Sequence, residues 1–123
     1  MSKPKILIVE DELSLVEALN RKFSQAGFEI LEANDGEIGL KTALKEKPDV
    51  VMLDILMPKM DGIEAMKQIR QDKKWGKRVP IIMLTNVNDS TTVSEAANYQ
   101  VFDFLIKTDW RLDDIVDLVK SKL

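Results

Sequence analysis

The sequence predicts an α/β protein in which one parallel sheet of five strands is covered by helices on both faces, a doubly wound arrangement. Five short apolar runs alternate along the chain with five segments of helical periodicity, and the connections between them are short. The third run, residues 50–53, is apolar at every position, which is typical of a strand buried on both faces. No repeat, linker or low-complexity stretch interrupts the pattern, so residues 1–123 are predicted to form one domain.

Each predicted strand is a largely apolar segment that stops at a polar or ionisable side chain. The predicted strands are residues 5–9, 28–31, 50–53, 80–84 and 101–106. The turn at residues 57–62, MPKMDG, ends the third strand and carries the chain away from it.

The first three helices are predicted from apolar spacing and from their start and stop signals. In the first, the apolar positions are Leu15, Val16, Leu19 and Phe23. Gly27 is a natural stop for that helix. Asn34, with Glu37 three residues later, resembles a capping pair for the second helix, and Asp61 is placed to cap the third.

The second half of the chain is predicted from weaker signals. Residues 73–78 form a basic stretch that is predicted to be a loop, with Trp75 at the surface. Residues 90–98 have only a weak helical pattern, whereas the last helix has apolar residues at Leu112, Ile115, Val116 and Val119. The methionines Met52, Met66 and Met83 and the tryptophan Trp110 are predicted to pack against the core or the last helix.

Composition excludes several classes of function. The chain has 123 residues, a net charge of −3, no cysteine and no histidine. A disulfide framework, histidine-ligated zinc and nucleophiles activated by histidine are therefore excluded. No basic arm predicts direct nucleic-acid binding, and no apolar run approaches the roughly 18 residues of a membrane span. We expect a cytoplasmic protein.

The side chains that follow the first, third, fourth and fifth predicted strands are ionisable or carry a hydroxyl. The first strand is followed by Glu10 and Asp11, the third by Asp54, the fourth by Thr85 and the fifth by Lys107. Taken singly, each has a structural explanation, such as capping the next helix. A strand order of 2-1-3-4-5 would bring all four strand ends to one crevice, where open α/β sheets bind their ligands. We therefore expect a shared site.

The predicted site has the composition of a magnesium and phosphoryl site. Three ionised carboxylates, those of Glu10, Asp11 and Asp54, repel one another unless a cation lies between them. Oxygen ligands without histidine or cysteine favour Mg²⁺. With Lys107, the ion would neutralise the acids and stabilise an incoming phosphoryl group. Asp54, on the central strand, is the candidate nucleophile.

The sequence motifs at the strand ends also resemble those of a known family. The motifs ILIVEDE, DVVMLDILMPKMDG, IIMLT and FDFLIK are jointly very specific. On these motifs the chain resembles, over essentially its whole length, the receiver domain of bacterial two-component response regulators. Receivers have a flavodoxin-like fold with the strand order 2-1-3-4-5.

The resemblance implies an acceptor and a metal site. Asp54 would take a phosphoryl group from the phosphohistidine of a sensor histidine kinase or phosphotransfer protein, or from a small phosphodonor, and would lose it slowly by its own hydrolysis. Asp11 and Asp54 would bind Mg²⁺ directly, the backbone carbonyl of Leu56 would be the third protein ligand, and Glu10 would act through water.

The resemblance also implies a conformational switch. Thr85 would move to hydrogen-bond the phosphoryl group, Lys107 would pair with it, and Phe104 would fill the space that Thr85 leaves. The face made by the fourth helix, the fifth strand and the last helix would change and bind a downstream protein target. The protein would act as a monomer or as a phosphorylation-dependent dimer.

The sequence departs from the usual receiver pattern near the acceptor. Thr108 stands where the family usually has proline, the residue that favours a cis peptide after Lys107. Asn86 stands where a small residue is usual. Leu56 and Val87 are both apolar at positions that flank the phosphoryl group, and we hypothesise that they impede the attacking water and prolong the phosphorylated state.

Three other classes of protein share part of this pattern. A pseudo-receiver would have the same fold and bind proteins without phosphorylation. A haloacid-dehalogenase-type phosphatase would need a second acid two residues after Asp54, where Leu56 stands. A carrier of flavin mononucleotide would need a phosphate-binding loop after the first strand, where Glu10, Asp11 and Glu12 would repel a phosphate.

Overall fold

The five predicted strands are present and form one parallel sheet. A computed structural model describes residues 3–57, 59–86, 90–107 and 111–123. The strands are β1 (Lys5–Val9), β2 (Glu29–Ala33), β3 (Val50–Asp54), β4 (Ile81–Thr85) and β5 (Asp103–Ile106). Their order is β2-β1-β3-β4-β5, which confirms the predicted doubly wound, flavodoxin-like class. Strand boundaries differ from the prediction by at most two residues.

The described residues contain six helices, one more than predicted. They are α1 (Leu13–Gln25), α2 (Gly36–Glu46), α3 (Gly62–Arg70), α4 (Trp75–Arg78), α5 (Ser90–Ala97) and α6 (Leu112–Ser121). The additional helix, α4, lies in the basic stretch that the sequence predicted to be a loop. No described helix combines the length and the apolar character needed to cross a membrane.

The prediction that Trp75 is a surface residue was wrong. Its ring is half-buried against the core, and its Nε1–H donates to the carbonyl of Pro48 at 2.7 Å. The Arg70 guanidinium also donates to the carbonyls of Gly76 and Val79, at 2.8 and 2.7 Å. These tertiary hydrogen bonds hold a helical turn that four residues could not maintain alone.

The core has two layers because both faces of the sheet are covered. In β1, Leu7 and Val9 pack into the layer that contains α2 and α3, whereas Ile6 and Ile8 pack into the layer that contains α1 and α6. This alternation explains why residues 6–9 of β1 are apolar without interruption. The predicted core methionines are confirmed, since Met52, Met66 and Met83 are fully buried. Trp110 lies outside the described residues.

One capping prediction was wrong by a single residue. The N-cap of α2 is Asp35 rather than Asn34, and its carboxylate accepts from the Ile38 amide at 2.8 Å. Either side chain can cap, so the backbone entry into α2 decides between them. The predicted cap of α3 is confirmed, because the carboxylate of Asp61 accepts from the Glu64 amide.

Candidate functional site

The carboxyl ends of the central strands lie side by side at one edge of the sheet. Val9, the last residue of β1, is level with Leu53 in β3, and Asp54 is level with Leu84 in β4. The last residues of β4 and β5 are also paired with each other. The residues that follow these strand ends therefore meet at one edge, as predicted.

Two carboxylates and one ammonium group form a buried cluster there. Lys107 Nζ lies 2.7 Å from Glu10 Oε1 and 3.0 Å from Asp54 Oδ2. Glu10 and Asp54 are 1% and 4% exposed, which is unusual for acids and requires a partner. The backbone amide of Glu12 donates to Glu10 Oε2 at 2.9 Å, and that of Leu56 donates weakly to Asp54 Oδ1 at 3.3 Å.

Burial dominates the electrostatics of this cluster. It raises the pKa of Glu10 from 4.5 to about 7, against the opposing effect of Lys107, and it also raises the pKa of Asp54. For Lys107, burial acts to lower the pKa, but the two carboxylates outweigh it and the pKa is raised. The lysine is therefore a permanent cation beside two carboxylates whose negative charges are not fully compensated.

The arrangement of the acids fits a hard divalent cation. Glu10, Asp11 and Asp54 each offer a carboxylate oxygen, and these oxygens lie within 4.8 Å of one another. Glu10 Oε1 is fully buried and has no well-directed hydrogen bond, its close contact being the ion pair with Lys107. Asp11 is exposed to solvent and leaves the site open on one side. An all-oxygen site of this kind suits Mg²⁺.

An open crevice of about 240 Å³ lies over the cluster. It is lined by Asp11, Glu12, Asp54, Leu56, Thr85, Asn86 and Lys107. Thr85 is 8% exposed, and the Leu56 side chain is 77% exposed at the mouth of the crevice. The crevice is large enough for a phosphoryl group and bound water molecules, and it leads directly to the Asp54 carboxylate.

Sequence reasoning had not assigned roles to two residues of the site. The backbone amide of Glu12 donates to the Glu10 carboxylate. The one feature of the sequence that could have indicated this role is the position of Glu12 directly after two acids. Gly62 supports the loop after β3, since its amide donates to the Ile55 carbonyl at 2.8 Å. A Cβ atom at Gly62 would lie 2.2 Å from the backbone oxygen of Asp54, so only glycine allows this approach.

The remaining predicted residues are placed as follows. Phe104 is half-buried on β5 and packs against the core layer that contains α3 and α5. Asn86 is exposed at the crevice. Val87, Thr108 and the predicted effect of Thr108 on the peptide after Lys107 lie outside the described residues.

The fold and this acidic crevice define a class of protein, the receiver domains of two-component systems. The family model of the response regulator receiver domain matches residues 6–120, and the chain belongs to this family. Receivers accept phosphoryl groups and work with histidine kinases or phosphotransfer proteins, so the chain has a phosphoryl-accepting signalling role.

Individual relatives include regulators and solved receivers. Over 81 residues the chain is 48% identical to the alkaline phosphatase synthesis transcriptional regulatory protein PhoP of Bacillus subtilis, covering 66% of this chain and 32% of PhoP. The chemotaxis response regulator CheY4 of Vibrio cholerae is 28% identical with a TM-score of 0.88, over 99% of this chain and 100% of that one. The CheX-CheY complex of Borrelia burgdorferi, solved with BeF3 and Mg²⁺, is 28% identical with a TM-score of 0.86, over 98% and 89% of the chains.

The curated relatives are longer than this chain. The alignments with the first three cover 32%, 40% and 25% of those proteins. The similarity therefore concerns the receiver part of those regulators.

Proposed function

We propose that residues 1–123 form a receiver in which Asp54 accepts a phosphoryl group from the phosphohistidine of a sensor histidine kinase or phosphotransfer protein. The observation that carries the proposal is the buried Asp54 carboxylate, which is open to a crevice and has Lys107 at 3.0 Å and two further acids beside it.

The transfer is a displacement at phosphorus. An Asp54 carboxylate oxygen forms a bond to phosphorus while the phosphorus–nitrogen bond to the donor imidazole breaks, and the electron pair leaves on that nitrogen. The product is an aspartyl phosphate. Lys107, already held between Glu10 and Asp54, neutralises part of the charge on the transferred group.

The acidic group would hold Mg²⁺ during this reaction. Asp11 and Asp54 would be direct ligands, the Leu56 carbonyl the third protein ligand, and Glu10 an indirect one through water. When bound, the ion supplies charge stabilisation for the phosphoryl oxygens. The relative from Borrelia burgdorferi that was solved with BeF3 and Mg²⁺ supports this choice of metal.

Phosphorylation would be read out at the face made by α5, β5 and α6. Thr85 would turn toward the phosphoryl group and Phe104 would fill the space beside it. The pairing of β4 with β5 supports this, because residues 85 and 106 are neighbours. The changed face would bind a downstream protein target or a second phosphorylated copy in the cytoplasm, without direct contact to nucleic acid.

Intact-mass analysis after incubation with phosphoramidate and Mg²⁺ tests the acceptor. The unmodified sequence should gain the mass of one phosphoryl group, whereas Asp54→Asn should gain nothing. Asp35→Asn is the matched control, because it makes the same carboxylate-to-amide change at an exposed helix cap and should retain the full gain.

The same mass measurement distinguishes a receiver that is phosphorylated from a pseudo-receiver that is not. If the unmodified sequence gains no mass with Mg²⁺ and either phosphoramidate or acetyl phosphate, the chain is a pseudo-receiver that binds proteins without phosphorylation. A gain that persists in Asp54→Asn would place the acceptor elsewhere.

A further inference from the structure

Five exposed cations lie together at the end of the sheet opposite the acceptor crevice. We call them the basic end: Lys47, Lys73, Lys74, Lys77 and Arg78. They precede β3 and β4, whereas Asp54 is at the carboxyl end of β3. Within the described parts of the chain, none of the five forms an ion pair with a carboxylate.

The basic end is held together by tertiary contacts. The hydrogen bond from Trp75 Nε1 to the Pro48 carbonyl joins α4 to the segment that carries Lys47. The Arg70 guanidinium fixes α4 from the other side through the carbonyls of Gly76 and Val79. The cations are therefore presented by a preorganised backbone, which lowers the entropy lost on binding.

Among residues 72–78 the one acid is Asp72, and its carboxylate already accepts a hydrogen bond. Asp72 Oδ1 accepts from the Lys74 amide at 2.9 Å. The pKa of Asp72 is lowered first by that hydrogen bond, then by the Gly76 amide, and to a smaller extent by the charge of Lys47. Asp72 thus offsets a single charge, and the remaining cations repel one another.

Helix dipoles explain only part of the basic end. Lys47 is the C-cap of α2, where a cation is favourable. Lys77 and Arg78 are at the end of α4, but a helix of four residues has little dipole to complement. Lys73 and Lys74 follow the C-cap of α3, where a cation is again favourable.

We propose that the basic end binds an acidic segment of a partner protein. A short acidic segment can contact the five cations and the rim of Trp75 without reaching the rest of the surface. A nucleic acid or an anionic membrane extends beyond the basic end. It would come within the Debye length, about 8 Å at physiological salt, of the rest of a chain whose net charge is −3, and the two would repel each other. This interaction is separate from the acceptor site, so a partner could hold the protein while the crevice stays open to a phosphodonor.

Fluorescence anisotropy of a labelled deca-glutamate peptide, titrated with the full chain at low salt, tests the proposal. Lys73→Glu with Lys77→Glu should weaken binding at least tenfold. Arg21→Glu with Lys120→Glu makes the same change in net charge on exposed residues of α1 and α6, and it should leave binding within about twofold. The neutral pair Lys73→Gln with Lys77→Gln, which introduces no new acids, should also weaken binding.

Two comparisons make the result decisive. Asp54→Ala should bind the peptide normally, so the outcome does not depend on the acceptor. The proposal is overturned if the peptide does not bind, if both charge-reversed pairs lose affinity equally, or if a ten-nucleotide single strand or phosphatidylglycerol vesicles bind more tightly than the peptide.

Discussion

At the scale of single residues, the main feature of the site is that Lys107 is shared between two buried acids. Its ammonium is closer to Glu10, at 2.7 Å, than to Asp54, at 3.0 Å. Glu10 is also the less exposed acid, and its pKa is raised to about 7 by burial. Glu10 therefore has a role that needs no metal: it fixes the position of the lysine in the resting protein.

Replacing Lys107 by methionine should lower the free energy of unfolding by about 1–3 kcal/mol in metal-free buffer. The two carboxylates lose their shared cation, but the cost stays below that of an unpaired buried charge because Glu10 can take up a proton. Urea denaturation measures the change. Lys122→Met, which removes only the half-exposed pair with Asp103, should cost less than about 1 kcal/mol. Equal losses in the two variants would contradict the prediction.

The exposed Leu56 should control the lifetime of the phosphorylated state. We expect Leu56→Asn to shorten the half-life several-fold, since an amide at the crevice mouth can orient the attacking water, whereas leucine excludes it. The decay of the phosphorylated mass in Mg²⁺ buffer measures this. Leu13→Asn is the matched control, because Leu13 is 70% exposed but does not line the crevice. A half-life of seconds in the unmodified protein would count against the idea.

At the scale of elements, polar contacts link α3 to helix α5 and to the residues that directly follow it. Its only fully buried side chain is the small Ala96. Lys67 on α3 pairs with Glu95 at 2.5 Å and lies 5.9 Å above the ring centre of Tyr99. Arg70 Nε donates to the Tyr99 carbonyl at 2.9 Å. A helix held in this way can change position at lower cost than one that is locked by apolar packing.

Arg70→Met should lower the free energy of unfolding by about 1–3 kcal/mol, because three carbonyls lose a half-buried donor. Lys67→Met should cost less than about 1 kcal/mol, since its pair with Glu95 is solvent-exposed. Urea denaturation compares the two, and amide hydrogen exchange should show faster opening of α5 in Arg70→Met. Unchanged exchange in α5 would show that Arg70 does not hold this helix.

At the scale of the whole molecule, the two ends of the sheet have opposite character. The carboxyl ends of the strands carry the acidic crevice, and the amino ends of β3 and β4 carry the basic end. Glu10, Asp11 and Asp54 come together only when the chain is folded. A cation that binds them should stabilise the folded state relative to the unfolded state.

Mg²⁺ should raise the midpoint of thermal unfolding, and chelation should reverse the effect. At a hundred times the dissociation constant, the expected stabilisation is about 2.7 kcal/mol. Asp11→Asn should reduce this response, because it removes an exposed ligand without disturbing the buried ion pairs. Asp35→Asn should respond like the unmodified chain. A response that is identical in both variants would exclude Asp11 as a ligand.

Much of the fold could be predicted because burial leaves a direct signature in the sequence. A strand covered on both faces must be apolar at every position, and the runs at β1, β3 and β4 show this. The convergence of Glu10, Asp54 and Lys107 followed from the strand order, and the structure brings these side chains together. Their individual roles in phosphoryl transfer remain predictions.

Other features could be known only from the tertiary structure, because they depend on contacts between distant segments. Trp75 looked like a surface residue until the Pro48 carbonyl, 27 positions away, provided its hydrogen-bond partner. The need for Gly62 arises from the close approach of the Asp54 backbone oxygen. Composition and periodicity along the chain thus determined the layers of this protein and the residues at its strand ends. Distances between segments decided how Lys107 is shared and how α4 is held, since those energies depend on geometry that no local pattern encodes.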